Sequence, residues 1–155
     1  MRISRQLAAG MMVVVAFFSA NYSEAQQFAS SSERRLFDAA NRERGAQGLP
    51  ALHWDEALAN SARRHAREMA ERHSISHQFP GELSLPARVT KAGLHFSAVA
   101  ENVAEAPSAS EVHRLWMNST PHRANILDKD MDSIGIGVAE RDGQLFAVED
   151  FCRAR

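Results

Sequence analysis

Trp116-Met117-Asn118-Ser119-Thr120-Pro121-His122-Arg123-Ala124-Asn125-Ile126-Leu127 sets a histidine in the first turn of an expected helix. Pro121 stands just before it, and Ser119 or Thr120 is placed to cap. Selection for stability alone rarely gathers Asn, Ser, Thr, His and Arg between a Trp and an Ile-Leu pair. Upstream, Glu101-Asn102 and Ser76-His77 give two more polar points that folding can bring to the same place.

Working outward from that run, Ser108 and Glu111 form a capping-box pair that opens a helix through Met117, with Val112, Leu115 and Trp116 facing inward. Downstream the period changes. Ile134, Ile136 and Val138 alternate with Gly135, Gly137 and Ala139, a strand pattern, and the two glycines imply close approach of another backbone. Asp142-Gly143 marks a two-residue hairpin leading to a second strand from Gln144 to Phe151. Upstream, Ser32 is placed to cap a helix over 33–46 that ends at Gly45 or Gly48. Asp55 caps a second helix over 56–72, where Leu58, Ala62, His65, Ala66 and Met69 form one stripe and Arg63, Arg64, Arg67 and Glu71 point to solvent. Residues 74–98 read as a long irregular connection with a helical turn near 86–92, and Val99 to Ala104 as a short strand or turn. Helices followed by a terminal hairpin indicate a single α+β domain with helices packed on a small antiparallel sheet.

Composition narrows the class. Arg2, Arg5, the apolar stretch Leu7 to Phe18 and Ser23-Glu24-Ala25 match a cleavable export signal over residues 1–25. An apolar run of about a dozen residues is short of the ~20 a membrane span needs, so no stable span is expected after cleavage. Removing 25 of 155 residues leaves 130, enough to bury a core, with a formal charge of −2. That balance speaks against nucleic acid and against anionic membranes. Cys152 is the single cysteine and cannot form an internal bridge. It reads as a thiol in a short tail over 152–155, with a Cys152-linked dimer as the alternative to a monomer.

Several motifs recur in a fixed order. Asn41-Arg42 precedes Gly48-Leu49, then come Leu52-His53-Trp54-Asp55, Ser76-His77, Ala100-Glu101-Asn102, the 116–127 run, and Ile134-Gly135-Ile136-Gly137 with Asp150-Phe151. Together they resemble the bacterial branch of the CAP superfamily, the proteins related to cysteine-rich secretory proteins, antigen 5 and plant pathogenesis-related proteins. The resemblance places a CAP domain at residues 33–151. It implies a three-layer α-β-α sandwich with a small central antiparallel sheet, including a further strand near 99–104. It also implies a large cleft in which two histidines and two glutamates hold a divalent metal, usually zinc. Carried over by motif, these are His77, Glu101 and His122, while the remaining glutamate position holds Ser119.

Three readings of these residues follow. In the first, His77, His122 and Glu101 hold zinc or another divalent metal, and Glu101 acts as general base of a hydrolase. In the second, a cleft of His77, Glu101, Asn102, Ser119 and His122 orients a lipid, cell-wall or protein ligand, with Ile75, Phe79, Leu83, Leu85, Leu94 and Phe96 lining an apolar groove. The third is structural: the polar groups satisfy one another and hold irregular backbone, and His65 is a core histidine. No phosphate loop, paired-cysteine motif or nucleophile elbow is present. A Ser119-His122-Glu101 triad is less apt than Ser119 as a helix cap. The preferred reading is an exported binding module, periplasmic or extracellular, with the hydrolase as alternative.

Overall fold

A computed structural model describes residues 30–155; the export-signal expectation falls on residues 1–25, outside the described residues. Helix α1 (Ser31–Ala46) is capped by Ser30 rather than Ser32. Three consecutive serines compete for the cap, and Glu33 decides: its carboxylate accepts from Ser30 N while Ser30 Oγ accepts from Glu33 N, a reciprocal box only Ser30 can close. The chain leaves the helix through Gly48, at a φ of 70° that glycine takes freely. Strand β1 (His53–Trp54) follows, and helix α2 (Glu56–Arg72) begins where Asp55 accepts from Leu58 N at 2.9 Å. Next are α3 (Leu85–Lys91), β2 (Phe96–Ala106), α4 (Ala109–Asn118), α5 (Thr120–Ile126), β3 (Ser133–Arg141) and β4 (Gln144–Ala154).

The sheet order is β1-β3-β4-β2. Its three long strands are antiparallel, but β1 joins β3 in parallel through His53↔Ser133 and Trp54↔Ile134, so the sheet is mixed rather than wholly antiparallel. A two-residue edge strand carries no period of its own. The β3–β4 hairpin turns on Asp142 and Gly143, both at positive φ, as a right-twisted two-residue turn requires.

Alternation on the strands divides the core into two layers. On one face Ile134, Ile136, Ala147 and Phe151 pack under Leu36, Val112, Trp116 and Ile126 of α1, α4 and α5. On the other, Val148 and Phe146 meet Ala62, Ala66 and Met69 of α2, with Leu58, Val89 and Cys152 alongside. The result is an α-β-α sandwich. Gly135 and Gly137 permit the α2 contact: a Cβ at either would lie 2.1 Å from the backbone N of Ala59 or of Arg63.

Three expectations are corrected. Cys152 is not in a tail: β4 runs to Ala154, and the thiol is fully buried. A bridge to a second chain through Cys152 would need the sheet to open, so burial argues against the linked dimer. Burial also pushes the thiol up to about 11, with Asp132 and Asp55 adding to the shift. Leu115 is exposed (42%) rather than inward. Arg63 is not a solvent group; it grips Glu33 of α1 through two 3.0 Å bonds, while Glu33 Oε1 also accepts from Val138 N on β3.

Candidate functional site

Strand β2 forms one edge of the sheet, and its two central polar residues face opposite ways. Glu101 points to the α2–α3 side, where His77, in the connection after α2, lies with Nδ1 2.8 Å from Glu101 Oε1. Asn102 points to the α4–α5 side. Its Nδ2 donates to His122 O and to Glu149 Oε2, both at 3.1 Å, and its Oδ1 accepts from Asn125 Nδ2 at 2.8 Å. Fully buried, Asn102 fixes the backbone that carries His122 and does not line the cleft as expected. The 116–127 run is thus tied to β2 through the His122 carbonyl and the Asn125 side chain.

His122 is half-buried at the start of α5. Burial first, and then the proximity of His77, lowers its pKa from the usual imidazole value. The two imidazoles thus share one neighbourhood, brought from opposite layers around the β2 edge. Ser119 is the residue shared by the end of α4 and the start of α5, and its hydroxyl caps neither helix through a side-chain bond. The cap expected of it is therefore not formed; Pro121 within the first turn of α5 needs no N–H acceptor.

Beneath Glu101 lies a network that the sequence motifs miss. Arg88, buried on α3, donates from Nη1 to Glu82 Oε1 at 2.9 Å and from Nη2 to Glu101 Oε2. His65, assigned to the core from its stripe, is fully buried there, yet its ring nitrogens lie 2.6 Å from Glu82 Oε1 and 2.7 Å from Ser76 O. It thereby ties α2 to the residue before His77. Asp150 stands opposite Glu101 in the β2–β4 register and is also fully buried. Burial, then the charge of Glu101, pushes the Asp150 carboxyl well above its usual range. Burial lifts Glu101 to about 7 against the opposing pull of Arg88. Glu82 behaves differently: burial would raise it, but bonds from Phe79 N–H, Arg88 and His65 outweigh that and hold it below the ordinary value.

The metal set implied by the resemblance does not fit this arrangement. Glu101 has one oxygen on His77 and the other on Arg88, and position 119 offers only a hydroxyl. Among the described residues no three His, Cys, Asp or Glu side chains come together as a metal-holding group.

The expected apolar groove is also mostly core. Phe79 packs with Met69 and Val148, and Leu85, Leu94 and Phe96 pack around Val89 and Cys152. Ile75 (48%) and Leu83 (45%) remain exposed. A separate open hollow of about 510 Å³ lies at the α4–α5 junction, lined by Met117, Asn118, Thr120, Arg123, Ala124 and Leu127, and includes none of His77, Glu101 or His122.

The profile of the cysteine-rich secretory protein family, CAP, matches residues 37–151. The chain belongs to that family. Protein YkwD of Bacillus subtilis is 35% identical over 112 residues, covering 72% of this chain and 44% of that protein. Membrane protein YlbC of the same organism is 33% identical over 113 residues, covering 70% and 32%. This CAP chain therefore spans less than half the length of these curated relatives. Among solved structures, an extracellular protein of Bacillus anthracis containing an SCP domain superposes with a TM-score of 0.73 at 28% identity, covering 79% of this chain and 40% of that one. An outer surface protein of Borrelia burgdorferi gives 0.74 at 22% identity, with 80% and 93% covered, and supports the fold alone.

Proposed function

We propose that this CAP domain is an exported, non-enzymatic binding module whose cleft at the β2 edge takes a lipid, cell-wall or protein ligand. Residues 1–25 serve as the export signal and 33–151 as the domain. The extracellular placement of the Bacillus anthracis relative supports export. Among the described residues, no helix is long and apolar enough to cross a membrane.

The observation that carries the reading is the His77–Glu101 pair. An imidazole whose side chain is 61% exposed is held by a carboxylate that is 3% exposed, with His122 beside it. Rigidly oriented polar groups at a solvent-reachable edge suit recognition. The test is co-sedimentation of the protein with purified cell-wall sacculi and with vesicles of neutral phospholipid, alongside the double variant His77→Ala plus His122→Ala. Retention by one of these that falls at least tenfold in the double variant supports the cleft. Equal behaviour of both proteins removes it.

The alternative is hydrolysis with Glu101 as general base, favoured by its burial, which pushes the carboxyl up to about 7, the poise such a base needs. Against it, both oxygens are engaged inside the protein. Casein cleavage that disappears in Glu101→Gln would restore the enzymatic reading.

A further inference from the structure

Among the described residues, Arg88 is the guanidinium in direct contact with the Glu101 carboxylate, and no motif accounts for it. Its guanidinium is buried between Glu82 and Glu101, and its Nε has no partner among the described residues. It cannot turn away from Glu101 without also leaving Glu82. Glu82 in turn is held by Phe79 N at 3.0 Å and by His65. The position is thus over-determined from α2, from the connection after it and from α3. A divalent ion bound to Glu101 would have to displace this guanidinium or lie against it, charge to like charge.

We propose that Arg88 is the positioning residue of the cleft, its guanidinium taking beside Glu101 the charge role a divalent metal would have. Glu101 then serves as a hydrogen-bond acceptor that turns His77, not as a metal ligand. With the carboxylate fixed, His77 Nδ1–H donates to Oε1 and the bare Nε2 lone pair is left for the cleft. Any divalent ion that does bind meets only imidazole nitrogens. The proposal rests on the cleft reading for its location, but both tests below use no ligand, so the two can fail separately.

Zinc chloride alone is titrated into EDTA-treated protein in competition with a chromophoric chelator. The comparison covers the wild type, Glu101→Gln, Arg88→Met and Arg88→Lys, with folding checked by circular dichroism. Glu101→Gln keeps an Oε1 acceptor for His77 Nδ1–H while removing the carboxylate charge, and is expected to leave zinc affinity within twofold of the wild type. Folded Arg88→Met frees Oε2 and gains at least tenfold, while Arg88→Lys keeps the charge and stays near the wild type. A tenfold loss in Glu101→Gln, or a folded Arg88→Met with unchanged affinity, overturns the proposal. Should wild-type binding be absent and Arg88→Met fail to fold, imidazole nitrogen NMR of the metal-free wild type decides. A fixed His77 tautomer protonated at Nδ1 is expected; a ring protonated at Nε2, or one that takes up the Nδ1–H form only after zinc is added, refutes the assignment.

Discussion

Arg44 and Arg88 are both buried, one on each side of the sheet, and they do opposite work. Arg44 on α1 donates only to main-chain carbonyls: Nε to Pro50 O at 2.8 Å, Nη1 to Ile126 O and Asp128 O at 3.0 and 2.7 Å, and Nη2 to Met131 O at 3.2 Å. It stitches the passage after α1 to the loop after α5, and burial lowers its pKa although Asp128 pulls the other way. Arg88 donates only to side-chain carboxylates. A guanidinium on carbonyls fixes where the chain runs, because those acceptors cannot change charge. A guanidinium on carboxylates favours their charged form, because its partners can take up protons. Architecture and electrostatics are thus separated by layer, and the proposed cleft draws on both: Asn102 and α5 from one side, Glu101 and His77 from the other.

The sharpest break in this contrast is Arg44→Met. Four carbonyls lose a charged donor together, and a loss of about 4 kcal/mol in urea unfolding is expected, since stranding several buried acceptors is among the costlier changes. Arg88→Met comes next at about 2–3 kcal/mol near neutral pH. Its cost should shrink as pH falls below 7, because Glu101, which burial raises to about 7, can then be protonated without a counter-ion. The Arg44 variant should show no such relief. Equal costs at every pH would erase the distinction.

Glu149 extends the contrast to a buried acid with no cation. Its Oε2 accepts from Asn102, its Oε1 has no partner among the described residues, and burial pushes its carboxyl up to about 8 despite the Asn102 bond. A folded value above the unfolded one near 4.5 means the folded state binds the proton more tightly. Stability is then full below the unfolded value and is lost as pH rises toward the folded one. Glu149→Gln should flatten that decline between pH 5 and 8, by about 3–4 kcal/mol across the interval. A decline as steep as in the wild type would assign it elsewhere. The smallest contrast is between two serines. Ser108 Oγ accepts from Glu111 N at 3.3 Å, so Ser108→Ala should cost about 1 kcal/mol, whereas Ser119→Ala should cost under about 0.5 kcal/mol in the same melts.

What could be read from the sequence is what local rules govern. Asp55 and the stripe on α2 mark that helix to the residue, and Asp142-Gly143 marks the hairpin, because a cap and a turn each act within a few positions. Glu101 and Asn102 interrupt the apolar pattern of β2, which hides a strand of 11 residues behind an apparent six. His77, Glu101 and His122 were legible as motif residues. Their placement was not, because it depends on which face of β2 each neighbour uses. Glu82 lies in an irregular connection and Arg88 six residues on in the short helix α3, where no period signals that they will meet a residue on β2. Asn41 shows the reverse: its side chain bonds Leu52 N at 2.7 Å and Leu52 O at 3.2 Å, so a motif position serves the chain path rather than the cleft.

Cys152 sits in the seam between β4, Leu58 of α2 and Val89 of α3, with Val99 and Ser133 as its partners on the flanking strands. A small alkylating reagent can touch that sulfur only in the instants when helix and sheet part. The rate of its modification therefore counts the breathing of this half of the molecule, with the native chain supplying its own stopwatch.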